Sequence, residues 1–137
     1  MRHAPTAQEL MAIAAMTDGE LLDYFLLRVT ETEEIWGLQQ QNQLFVRQLE
    51  TAGAVPLWPY RSVAVDAALD HWHDCVVQSV SLEYFVELTL PRLIQEELMV
   101  EIMPRGNAAG CLITPHRLLD ILTSIMSAAE YRLDADG

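Results

Sequence analysis

Near the start of the chain apolar residues recur at intervals of three and four, punctuated by two helix-start signatures. Thr6 with Glu9 forms a T-x-x-E capping box ahead of Leu10, Ile13 and Ala14, predicting a helix from about Ala7 to Met16. Thr17 with Glu20 repeats the signature ahead of Leu21, Leu22, Tyr24, Phe25, Leu26 and Val29. A second helix is predicted to about Thr30, with Leu21, Phe25 and Val29 stacked on one face. The acidic run Glu31-Thr32-Glu33-Glu34 opposes the macrodipole at a helix C-terminus and ends it there.

From Glu34 the period changes to two. Ile35–Leu38 reads as a strand, Gln39–Gln43 as a polar turn, and Leu44–Glu50 as its hairpin partner. Thr51-Ala52-Gly53 turns the chain into a third strand, Ala54–Trp58, which Pro56 assigns to an edge or an irregular position because it lacks an amide donor. Ser62 is placed to cap a helix carrying Val63, Val65, Ala67, Ala68 and Leu69. Cys75–Val80 reads as a strand, and Ser81 as the cap of a helix with Leu82, Phe85, Val86 and Leu88 inside. Pro91 is expected to break or kink that helix. Leu98–Met103 and Cys111–Thr114 form a hairpin pair of strands, with Gly110 as turn punctuation. Thr114-Pro115 then opens a last helix with Leu118, Leu119, Leu122, Ile125, Met126 and Ala129 as its stripe. Leu133–Gly137 reads as a frayed acidic tail. The pattern therefore predicts one α+β domain spanning residues 1–137. It has two helices at the N-terminus, one at the C-terminus, and a mixed or antiparallel sheet of about five or six strands with helices packed on it.

Composition narrows the function more than the fold. The 137 residues are 51% hydrophobic and 20% charged, a globular balance. Twenty acidic residues against eight basic ones, all arginine, give a formal charge of −12. Nucleic-acid binding, which needs basic side chains on phosphates, is thereby disfavoured. The longest apolar run near the start, Leu10–Met16, is far short of the roughly 20 residues of a membrane span, and no secretory signal is read there. Cys75 and Cys111 are too few for a disulfide framework and are expected to be free buried thiols. A cytoplasmic location is the expectation.

Few residues suggest chemistry. His71, His73 and Cys75 alternate, so an extended chain would turn all three to one side as a zinc-like ligand set. The competing reading is two loop histidines beside a cysteine entering the core. There is no nucleophile elbow, phosphate loop or dinucleotide fingerprint, and paired acids such as Glu33-Glu34 or Glu96-Glu97 read as solvated surface. No catalytic residue and no cofactor are therefore assigned. Trp36 reads as core. Trp58 and Tyr60, at a strand end, read equally as core or as the wall of a partner groove.

Several pieces of the chain resemble a known family. These are Tyr24-Phe25 with Val29, Glu33-Glu34-Ile35-Trp36-Gly37-Leu38, Val55-Pro56-Leu57-Trp58-Pro59, Trp72, Ser81–Phe85, Leu90-Pro91, Met103-Pro104 and Gly110 through Pro115. From about Leu21 to Leu122 the sequence is similar to the bacterial family called domain of unknown function 2750. It departs from that pattern at Gln39–Asn42, where an acidic, glycine-containing turn is usual. The resemblance implies a small bacterial protein and supplies no catalytic residue. The second half also resembles, in topology, the amino-terminal domain of SseB-type proteins.

The reading from sequence is a noncatalytic protein-interaction module, immunity- or antitoxin-like, monomeric or homodimeric, that meets a basic protein partner. Its candidate contacts are Glu31, Glu33, Glu34, Trp58 and Tyr60. The alternative is a small metal-binding protein or hydrolase using His71, His73 and Cys75.

Overall fold

The second N-terminal capping signature closes as a full box and the first only on its threonine side, Glu9 accepting the Tyr24 hydroxyl with its carboxylate instead. In a computed structural model, which describes residues 5–49, 52–72, 74–104 and 110–136, α1 spans Ala7–Ala14 and α2 spans Asp18–Thr32. Thr6 Oγ1 accepts the Glu9 N–H, and Thr17 and Glu20 exchange both bonds of a full capping box. Leu21, Phe25 and Val29 are each fully buried, so the predicted stack is the inner face of α2. Glu33, in the left-handed region at φ 60°, turns the chain out of α2.

The strands are β1 Glu34–Gln40, β2 Gln43–Leu44, β3 Arg47–Gln48, β4 Gly53–Trp58, β5 Val76–Ser81, β6 Met99–Ile102 and β7 Cys111–Ile113. They form one mixed sheet: β5, β1, β4, β6 and β7 lie side by side, antiparallel except for the parallel pair β4–β6. The predicted strand Leu44–Glu50 is broken. Its first part pairs with β1 and its second with β4, so it fills the gap where those two strands diverge. The tight turn is Gln41-Asn42, both with positive φ, as a two-residue hairpin of primed type requires.

Pro56 sits in a central strand, not at an edge. The Leu57 carbonyl accepts the Met103 N–H on the β6 side, so alternation turns Pro56 the other way. There β4 changes partners from β3 at Ala54 to β1 at Leu57, and the missing donor falls at the switch.

Helix α3, Arg61–His71, begins one residue after Tyr60, so Tyr60 rather than Ser62 is the N-cap residue. It packs against β1, β4 and β5, while α2 packs against β1, β6 and β7. Pro91 does not end its helix. Leu82–Tyr84 (α4) runs through a π-helical turn, Phe85–Thr89, into α5, Leu90–Gln95. The Leu90 N–H reaches back to Phe85, so the ladder has widened before the proline arrives. Leu88, read as internal, is 56% exposed on that widened turn, and Leu90 and Leu93 are buried instead. Helix α6, Pro115–Asp136, starts on the Thr114 cap and continues through the segment expected to fray, which has no proline or glycine before Gly137. Among the described residues no helix is long and apolar enough to cross a membrane.

One charged side chain is buried among the described residues. Glu101 of β6, 1% exposed, holds both carboxylate oxygens 2.9 Å from Arg47 Nη1, and its Oε2 accepts the Gly110 N–H at 3.0 Å.

Candidate functional site

The acidic corner forms where α2 hands the chain to β1. Glu31, Glu33 and Glu34 are all exposed there. They are not equivalent. Arg28 pairs with Glu31 at 3.1 Å, lies 3.8 Å from Glu9 and stands over the Tyr24 ring at 5.4 Å. Glu33 and Glu34 have no ion pair among the described residues, so they supply the corner's uncompensated charge.

The second feature is a surface groove of about 970 Å³ between the helix formed by α4, the π turn and α5 and one face of the sheet. Register defines that face: Gly37 stands opposite Leu57 and Gln78, and Ile35 opposite Val80. The floor includes Gly37, whose absent side chain leaves only about 3.3 Å between a would-be Cβ and Leu57. The wall offers Tyr84 and Leu88, 51% and 56% exposed, together with Arg92 and Glu96. Corner and groove adjoin, because Ser81 at the groove end is the cross-strand partner of Glu34 and the Leu82 N–H donates to the Glu33 carbonyl.

The aromatic candidates occupy the opposite face, beneath α3. Trp58 is fully buried and its Nε1 donates to the Pro104 carbonyl at 3.3 Å, which makes it core rather than a groove wall. Trp72 packs against Phe45 and Trp58 with ring centroids 5.6 and 6.0 Å away. Tyr60 is 1% exposed and its hydroxyl has no hydrogen-bond partner among the described residues, but the residue borders a small pocket of about 270 Å³ shared with Glu34, Trp36 and Arg61. Sequence reasoning missed the groove: Gly37 and the exposure of Leu88 carry no local signal, since both follow from strand register and the π turn.

The ligand-set reading gains no support. His71 is the last residue of α3 and its side chain, like all of His73, lies outside the described residues. Cys75 is half-buried; burial first, then the neighbouring Asp74 carboxylate, pushes its thiol up and favours the neutral form over the thiolate a metal binds. Burial does the same to Cys111. Among the described residues no three His, Cys, Asp or Glu side chains gather as a cation site. A family model described as "Protein of unknown function (DUF2750)" matches residues 22–122. No curated protein matches the chain.

Proposed function

The chain belongs to the DUF2750 family, whose description assigns no activity, and from that premise we propose that it is a noncatalytic protein-interaction module for a basic protein partner. The carrying observation is the junction of two surfaces: an acidic corner where Glu33 and Glu34 have no ion pair among the described residues, abutting a groove with exposed Tyr84 and Leu88 on its wall. Apolar anchors in a groove supply affinity, and a complementary rim charge steers encounter and selects partners. The net charge of −12 works in the same direction. An immunity- or antitoxin-like role is one form of this reading.

The test is capture of a partner from the native host on the immobilised chain, followed by identification and binding measurements with the purified partner. The partner should be basic, with affinity that falls as salt rises. The triple variant Glu31→Gln, Glu33→Gln, Glu34→Gln should weaken binding by about tenfold or more, while neutralising Asp120 on α6, which lines neither surface, should not. A partner insensitive to salt and to the triple change would refute the reading.

A further inference from the structure

Strand β5 closes one side of the sheet. It pairs with β1 along its whole length, from Glu34 opposite Ser81 to Gln39 opposite Val76, and with no other described strand. Hydrogen-bond alternation identifies its free side. The Leu38 carbonyl accepts from Phe45, away from β5, and the Glu33 carbonyl accepts from Leu82, toward it. The odd-numbered residues of β1 therefore bond to Val76, Gln78 and Val80. The backbone groups of Val77 and Ser79, with the Ser81 N–H, point outward.

Edge strands are ordinarily blunted by charge, proline or a bulge, because an open ladder recruits another strand. The sequence Val76–Ser81 has no charged residue, no proline and no glycine, in a chain carrying −12, and Val76 is 67% exposed. Both ends of this neutral edge are acidic. Exposed Asp74 precedes it, and exposed Glu34 and Glu83 flank its other end. A second copy of the chain laid antiparallel on this edge would set Asp74 against Glu34 and Glu83 of its mate, like charge against like. An extended segment with an uncharged centre and basic flanks meets no such opposition.

We propose that β5 is the edge on which the partner docks by strand addition, and that the docking segment is extended, uncharged at its centre and rich in arginine or lysine on both flanks. This rests on the interaction reading above and specifies its geometry. Alternate side chains of the added strand would lie beside Val76, Gln78 and Val80 on the face of the groove, near Tyr84 and Leu88.

The probe is a synthetic peptide with a Val-Thr-Val-Thr-Val centre flanked by two arginines on each side, and a twin carrying glutamates in their place. The arginine peptide should bind and the glutamate twin should not. On binding, amide hydrogen exchange should slow at Val77 and Ser79, while Gln78, already bonded to β1, changes little. Ser79→Pro removes an outward N–H without touching the β1 ladder and should weaken binding by about tenfold. N-methylation of the peptide's central amides should do the same and leaves the protein unaltered. Binding without protection at Val77 and Ser79 overturns strand addition and leaves the interaction reading standing. Failure of the arginine peptide to bind also overturns it, while capture of the host partner judges the broader reading separately. Protection of these amides without peptide, with doubled mass in sedimentation, would give the edge to a second copy and overturn the proposal.

Discussion

Replacing Arg47 by methionine strands the Glu101 carboxylate in the interior. Glu101 is 1% exposed and accepts from Arg47 with both oxygens and from the Gly110 N–H, so one change removes its charged partner and leaves a single donor. Breaking a fully buried pair costs about 3–5 kcal/mol. The Arg47 side chain is 36% exposed, so water reaches the vacated position and the expected loss falls to about 2–3 kcal/mol. Glu101→Gln keeps the shape but turns an amide N–H₂ toward one of two donors, for a loss of about 1.5–3 kcal/mol. Removing both charges together, Arg47→Met with Glu101→Leu, abolishes the stranded ion and orphans only the Gly110 N–H, at about 1–3 kcal/mol. Glu101→Leu alone orphans the same Gly110 N–H at about the same cost, so the double variant should lose about 2–3 kcal/mol less than Arg47→Met and Glu101→Leu combined. Urea unfolding at neutral pH, compared by midpoint at constant slope, reads all of these. A loss under about 0.5 kcal/mol for Arg47→Met, or strict additivity in the double variant, would refute the assignment of this pair as a structural tie.

Two further outcomes follow from the same geometry. A Cβ at Gly110 would run into the backbone of Ile102 and Pro104, so Gly110→Ala should cost at least about 3 kcal/mol or prevent folding, read by thermal melting. At the start of α2, Glu20 accepts the Thr17 backbone N–H, which lowers its carboxyl from the usual range. A depressed folded pKa stabilises above the unfolded value, about 4.3, and that contribution is lost as pH falls through the folded one. The stability difference between the native chain and Glu20→Gln should accordingly shrink between about pH 5 and pH 3, and a constant difference would remove the linkage.

What could be read from the sequence was local. The threonine caps of α1 and α2, the full box at Thr17 and Glu20, and the Leu21, Phe25, Val29 stack depend on residues within one turn or two of each other, and each has the geometry its spacing implies. Where the sequence left alternatives open, distant partners decide between them. Pro56 is tolerated centrally because β3 and β1 change over beside it, and Pro91 is tolerated because the π turn has already displaced the bond it would have broken. Trp58 is core because Pro104, far along the chain, supplies an acceptor and Trp72 covers its face. Of the candidate contacts, the exposed corner at Glu31, Glu33 and Glu34 was visible as a charge run, whereas the groove beside it required the register of β1 with β5.

The parallel pairing of β4 with β6 also dictates an order of events during synthesis. Ala54–Leu57 must wait for Met99–Ile102, with α3, β5, α4 and α5 emerging between them, before the middle of the sheet can close. Until then Val55 and Leu57, both buried in the finished protein, have no strand on one side. The hairpin of β1 and β2 and the capped helix α2 can form early, so the nascent chain is expected to carry a half-built sheet past the ribosome exit and to complete it in one late, non-local step.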